Sequence, residues 1–179
     1  MDAEPIRTPR LMLEPLAVEH AAEMAEALSD PALHTFIGGS PATAEQLRDR
    51  YTRMVAGPPA GGDDAWLNWV IRLDGPNRLV GYVQATVTSG RAALAWVVGT
   101  PWQGRGIAGE AALALTGWLG EHGVDSLVAT VHPDHAASSA VARRIGLVPT
   151  DGRVDGEVVW RSAWACAAAP QGETPGISP

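Results

Sequence analysis

The chain has 179 residues, a formal net charge of −7 and a single cysteine, Cys166, which predicts one domain without a disulfide framework. The acidic net charge argues against a nucleic-acid partner. The sequence contains no run of about 18 apolar residues, so no membrane span is predicted. All basic residues are arginine, so no lysine is available as a nucleophile. No Cys/His cluster suggests a metal, and the absence of an apolar signal segment predicts a cytoplasmic protein.

The first third of the chain predicts one strand and two helices. Residues 10–16 alternate weakly as a strand, and apolar residues recur at helical spacing over 18–28 and again over 43–56. Thr43 is the candidate N-cap of the second helix, whose predicted inner face consists of Leu47, Tyr51, Met54 and Val55. Residues 34–41 are predicted to be a loop, and the Gly/Pro-rich residues 57–62 a flexible connection.

The middle of the chain changes to strand periodicity. Three strand-like runs, 65–73, 78–87 and 92–98, are separated by short segments typical of hairpin turns. They predict an antiparallel meander. A long helix over 105–121 follows, with an inner stripe of Ile107, Ala111, Leu115, Trp118 and Leu119.

The last part of the chain predicts a strand over 126–132, a helix over 136–145 and two final strands within 147–167. Because a helix precedes it, the strand 126–132 is expected to run parallel to 92–98 through a right-handed crossover. Residues 168–179 have the composition of a disordered tail.

A glycine-rich turn joins the strand 92–98 to the long helix. Gly104, Gly106 and Gly109 would let a ligand approach the backbone at a helix N-terminus, where free N–H groups bind anions. The spacing also satisfies the dinucleotide fingerprint G-x-G-x-x-G. That alternative is disfavoured because three hairpin-linked strands precede the turn, whereas dinucleotide folds alternate strands and helices.

The same turn fits Gln103-x-x-Gly106-x-Ala108, and here the chain resembles the GCN5-related N-acetyltransferase (GNAT) family, ribosomal-protein N-terminal acetyltransferase-like subgroup. The resemblance covers residues 6–165 and rests on four segments in order: TPRLMLEPL, LVGYVQATV, WQGRGIAGEA and VHPDHAASSAVARRIGL. It implies one α/β domain of the α+β type over 6–167. The expected mixed, mostly antiparallel sheet has about seven strands, a splay between the fourth and fifth, and about four flanking helices.

The resemblance also implies acetyl-CoA as co-substrate, with no metal. Backbone groups of Val97 and Val98 are expected to pair with pantetheine. The pyrophosphate is expected on the loop formed by Gln103, Gly104, Arg105, Gly106, Ile107 and Ala108.

The catalytic groups are less regular. Many members of the family carry a tyrosine as general acid at the position of Ala142, which leaves that role vacant. Relatives of the ribosomal type resemble N-x-x-S instead, which makes Ser138 the candidate acid or thiolate hydrogen-bond donor. His135 replaces the asparagine of that pattern and is expected to bind the cofactor. Glu157 on the last strand is the candidate base.

The predicted function is transfer of acetyl from acetyl-CoA to a primary amine, either a protein N-terminal α-amine or a small-molecule amine, by direct attack. The alternatives are an aminoglycoside-type antibiotic acetyltransferase and a non-catalytic CoA-binding or sensor module. The expected partner is a small-molecule amine or a peptide N-terminus, with neither nucleic acid nor membrane, and a homodimer is a candidate assembly.

Overall fold

One mixed sheet organises the part of the chain that the computed structural model describes, residues 1–59 and 63–162. Its strands are β1 Ile6–Arg7, β2 Leu11–Pro15, β3 Ala65–Leu73, β4 Arg78–Thr88, β5 Arg91–Val98, β6 Ser126–Val131, β7 Leu147–Val154 and β8 Glu157–Ser162. The α-helices are α1 Ala21–Ala27, α2 His34–Ile37, α3 Ala44–Ala56, α4 Ile107–Glu121 and α5 Ala136–Arg144. The strand order is β1-β2-β3-β4-β5-β6-β8-β7, and among these described strands only β5 and β6 pair in parallel.

The predicted meander is confirmed. β3, β4 and β5 pair antiparallel in sequence order. Two tight turns join them, and Asn77 and Ser89 adopt positive φ there, a conformation that short polar residues and glycine tolerate best.

The core lies on both faces of the sheet. The predicted inner stripe of α4 is confirmed, since its members are all buried: Ile107, Ala111, Leu115, Trp118 and Leu119. Trp118 meets Trp69 of β3 edge to face at 5.3 Å. On the opposite face, α1 and α3 bury a second cluster against Val70 and Leu79. The alternation of strand side chains explains this two-sided burial.

The N-terminal third differs from the prediction in detail. Thr43 caps α3 through a reciprocal pair of hydrogen bonds with Gln46, as expected, but Val55 is 54% exposed and does not belong to the buried face. Residues 34–37, predicted to lie in a loop, form the short helix α2. β1, which pairs with only two residues of β2, raises the strand number to eight.

Several predictions fall outside the described residues. These are part of the flexible stretch 57–62, the end of the last strand beyond residue 162, and the tail 168–179. Within the described residues, no helix is long and apolar enough to cross a membrane.

The splay predicted between the fourth and fifth strands lies between β5 and β6, because the additional strand β1 shifts the numbering by one. They pair only from Arg91 to Ala93, against Ser126 to Val128. Beyond that point β5 continues to Val98 along β4, while β6 continues to Val131 along β8. A gap therefore opens between the carboxyl ends of the two parallel strands.

Candidate active site

The glycine-rich turn closes the end of β5 and begins α4. Gly104 and Gly106 adopt φ of 72° and 76°, the left-handed region that favours glycine. Gly106 is the N-cap, so α4 begins at Ile107 rather than at Arg105 as predicted. Residues 103–106 are exposed, and a Cβ on Gly104 would meet nothing within 4 Å. The turn that leads into the N-terminus of α4 is therefore open to solvent, and the first-turn N–H groups of a helix are the ones available to an anion.

Thr8 and Arg10, in the N-terminal segment, form hydrogen bonds to the glycine-rich turn and to the first turn of α4. Both terminal nitrogens of Arg10 donate to the carbonyl of Arg105 at 3.2 Å. Arg10 Nε also donates to Glu110 at 2.7 Å, and Thr8 Oγ1 donates to the other carboxylate oxygen at 2.6 Å. Burial raises the pKa of Glu110, but these hydrogen bonds outweigh it and hold the pKa below its usual value. Glu110 is therefore ionised at neutral pH.

These hydrogen bonds between the N-terminal segment and α4 are not predictable from the sequence. Thr8 and Arg10 lie in the segment TPRLMLEPL that carries part of the family resemblance, but nothing in that segment indicates a partner about a hundred residues later. The one local indication of a polar contact is that Thr8 and Arg10 directly precede the apolar strand β2.

Gln103 ties the turn to β5, because its Nε2 donates to the carbonyl of Val98 at 2.9 Å. The Gly99 N–H donates to Val80, and with the register of β4 and β5 this directs the backbone groups of Val97 towards Tyr82. Backbone groups alternate along a strand. Of the predicted pair, only Val98 therefore directs its backbone groups into the splay.

Ser138 lies in the first turn of α5, across the splay from β5. The indole Nε1 of Trp96 on β5 donates to Ser138 Oγ at 3.0 Å. Both residues are half-buried. This hydrogen bond bridges the two elements that border the gap.

His135 is the N-cap of α5, and its Nδ1 accepts a long hydrogen bond of 3.5 Å from the Ser138 N–H. Phe36 of α2 stacks on the imidazole, with ring centroids 4.2 Å apart. Burial, followed by the charge of His132, lowers the pKa of His135, and the opposing effect of Glu157 is smaller. The ring is therefore neutral at pH 7, with the proton on Nε2.

Glu157 begins β8 at the same end of the sheet. Val158 pairs with Val131 near the end of β6, so Glu157 lies beside the segment that leads to His135, and its charge acts on the imidazole. The position of the vacant tyrosine, Ala142, is fully buried in the core. The predicted loop, Ser138, His135 and Glu157 thus belong to segments at the end of the sheet where β5 and β6 separate.

Among residues 1–59 and 63–162, no group of three or more His, Cys, Asp or Glu side chains is placed to hold a metal ion.

Comparison with known proteins agrees with this geometry. The family model described as the acetyltransferase (GNAT) domain matches residues 10–148. A search of curated protein sequences found no significant match. The fold is similar to that of an acetyltransferase from Agrobacterium tumefaciens strain C58, with 28% identity and a TM-score of 0.70, covering 90% of this chain and 95% of that one.

Two further structures share the fold at lower identity. One is the ribosomal L7/L12 α-N-protein acetyltransferase RimL in complex with coenzyme A, at 18% identity and a TM-score of 0.74, covering 88% of this chain and 97% of that one. The other is the Salmonella typhimurium acetyl transferase that modifies the N-terminal serine of ribosomal protein L7/L12. It has 18% identity and a TM-score of 0.71, and the match covers 88% of this chain and 98% of that one.

Proposed function

The chain belongs to the GNAT family of acetyltransferases and is an N-acetyltransferase, and from this premise we propose that it transfers acetyl from acetyl-CoA to the α-amine of a protein N-terminus. The proposed catalytic domain spans residues 6–167. One observation carries the proposal: the exposed glycine turn follows β5, Ser138 bonds to Trp96 across the splay, and Glu157 begins β8 at the end of the sheet where β5 and β6 separate.

The glycine turn is the proposed pyrophosphate site. The first-turn N–H groups of α4, including those of Ile107 and Ala108, would bind the phosphate oxygens, with the exposed Arg105 side chain supplying positive charge. Gln103 and Arg10 bond to the carbonyls of Val98 and Arg105, so these contacts use none of the backbone N–H groups of the turn. No metal is needed for charge compensation in this arrangement.

The splay is the proposed pantetheine channel. The Val98 carbonyl is already bonded to Gln103, so the Val98 N–H is the group on that residue available to a ligand. It would donate to the thioester oxygen as negative charge develops there, and His135 Nε2–H would donate to a pantetheine carbonyl.

Amide formation then needs a balanced movement of protons. The amine nitrogen forms a bond to the acetyl carbon, and the carbon–sulfur bond breaks. The proton lost by the amine passes to Glu157 directly or through water and returns through water to the departing thiolate, which leaves as the thiol. The Ser138 hydroxyl stabilises the developing thiolate with a hydrogen bond and keeps its own proton.

The choice of acceptor is supported by two structural relatives, each of which acts on ribosomal protein L7/L12. The net charge of −7 suits any cationic acceptor and therefore does not separate a peptide from an aminoglycoside.

The test uses the full chain, acetyl-CoA and detection of released thiol. The acceptors are peptides with a free serine, alanine or methionine N-terminus, the same peptides with a blocked N-terminus, and a panel of aminoglycosides. We expect turnover with free N-termini and none with blocked ones. Turnover with aminoglycosides alone would contradict the peptide acceptor, and tight CoA binding without thiol release on any amine would favour a sensor.

Two further predictions remain with this proposal. A cytoplasmic location follows from the expected substrate. The candidate homodimer is tested by sedimentation of the full chain, where a monomer at micromolar concentration would contradict it.

A further inference from the structure

The hydroxyl of Ser138 has a single described partner, and that partner is a donor. Trp96 Nε1 donates to Oγ at 3.0 Å. Among residues 1–59 and 63–162, no acceptor takes the hydroxyl proton. The bond joins β5 to α5 across the splay, which is the proposed pantetheine channel.

The chemistry of the two groups fixes the direction of this hydrogen bond. An indole N–H is a donor only, whereas a serine hydroxyl has one proton and two lone pairs. Ser138 must therefore accept from Trp96, and its own proton points elsewhere. Donation from the indole also polarises the hydroxyl and makes it a stronger donor.

Serine in the first turn of a helix commonly bonds to nearby backbone groups instead. Here the N–H of Ser138 is capped by His135 Nδ1, and the hydroxyl is bonded to Trp96. The side chain is thus held away from a purely local capping arrangement and towards the gap.

We propose that Trp96 is a positioning residue that orients the Ser138 hydroxyl so that its proton points to the sulfur of the leaving thiol. This inference rests on the proposed function, in which Ser138 donates to the thiolate. Trp96 touches neither the acetyl group nor the acceptor in this role. It acts by occupying one lone pair of the serine oxygen.

The substitution Trp96→Phe removes the N–H and keeps a smaller aromatic ring. We expect kcat to fall about 3- to 10-fold, the range for loss of one neutral hydrogen bond, with little change in KM for acetyl-CoA. The matched control is Trp69→Phe, which also removes an indole hydrogen bond, to the carbonyl of Glu4 at 2.7 Å, but in the core. Its kcat should be unchanged in the folded protein.

A double-mutant cycle distinguishes orientation from packing. If Trp96 acts through Ser138, Trp96→Phe should have no further effect on kcat in a Ser138→Ala background. Equal losses in both backgrounds would overturn the inference, because they would show an effect of the ring on the cleft. A normal kcat for Trp96→Phe would also overturn it.

The cycle separates failure of this inference from failure of the proposed function. If Ser138→Ala alone leaves kcat unchanged, Ser138 is not the hydrogen-bond donor to the thiolate. The proposed catalytic role of Ser138 and the positioning role of Trp96 are then both wrong. If Ser138→Ala is impaired and Trp96→Phe is not, only the role of Trp96 falls. Should Trp96→Phe unfold, site-specific replacement of Trp96 by 3-benzothienylalanine, which exchanges N–H for sulfur in a ring of the same shape, gives the same readout.

Discussion

The guanidinium of Arg10 lies 2.7 Å from the carboxylate of Glu110, across the boundary between the N-terminal segment and α4. The same guanidinium holds the carbonyl of Arg105, the residue before the left-handed Gly106. One side chain thus connects the start of the sheet to the turn that is proposed to bind pyrophosphate. The geometry of that turn depends on a residue far from it in sequence.

Removing this fastening should weaken cofactor binding more than it weakens the fold. Arg10→Ala frees the Arg105 carbonyl and leaves Glu110 with less compensation beside the proposed phosphate site. We expect the Kd for CoA, measured by isothermal titration calorimetry, to rise about 5-fold or more. Half of the Arg10 side chain is exposed, so the loss of thermal stability should be small.

Arg7→Ala is the matched control for Arg10. Arg7 pairs with Asp74 at 3.1 Å on the exposed edge of the sheet, away from the turn. It should leave the Kd for CoA unchanged. Equal effects of the two substitutions would show that Arg10 contributes through general surface charge rather than through the turn.

Ser138→Ala should lower kcat about 10-fold or more, because the departing thiolate loses its hydrogen-bond donor. KM for acetyl-CoA should change little, since the hydroxyl acts mainly as the carbon–sulfur bond breaks. The neighbouring Ser139, also half-buried and in the same helix, provides the control. Steady-state kinetics in which Ser139→Ala is as impaired as Ser138→Ala would assign the effect to the helix and not to the hydroxyl.

Much of the fold was predictable because its signals are local. The turns after β3 and β4, the capping of α3 by Thr43 and the buried stripe of α4 each depend on residues within a few positions of one another. The glycine turn was likewise readable, because positive φ restricts the choice of residue.

The features that were not predicted depend on contacts between distant parts of the chain. The pairing of Arg10 with Glu110 and that of Trp96 with Ser138 exist only once the sheet has formed. The four-residue helix α2 is too short to show helical periodicity, yet it brings Phe36 onto His135. β1 is similarly too short to show an alternating pattern.

Protonation of His135 at mildly acidic pH should lower both the stability of the fold and the affinity for the cofactor. Its pKa lies below 6.5 in the folded protein, chiefly through burial. The folded protein therefore resists protonation, and the unfolding free energy should fall as pH drops below the unfolded pKa of 6.5 and through the folded one. Above pH 6.5, this contribution of His135 to stability is fully present.

His135→Asn, which restores the family pattern, removes that titration. Protonated Nδ1 can no longer accept from the Ser138 N–H that holds the ring at the start of α5. We therefore expect KM for acetyl-CoA to rise below pH 6.5 in the parent protein and to stay flatter in the variant. His122→Asn is the control, because His122 is the C-cap of α4, stacks on Trp118 and does not contribute to the pKa shift of His135. A parent KM that is flat from about pH 5.5 to 8 would contradict a binding role for His135.

Gly106 and Gly117 provide a paired test of the glycine turn. Gly106 needs the left-handed conformation that glycine favours, whereas Gly117 has helical backbone that alanine favours. Gly106 has φ of 76° at the N-cap, whereas Gly117 lies exposed within the helix, where a Cβ would meet nothing within 4 Å. Gly106→Ala should destabilise the fold by about 1 kcal/mol and raise the Kd for CoA, because the Cβ strains the turn that presents the N–H groups. Gly117→Ala should instead stabilise the helix by about 0.5–1 kcal/mol with no change in Kd. Chemical denaturation and calorimetry of the two variants measure both quantities, and an unchanged Kd in Gly106→Ala would remove the turn from the cofactor site.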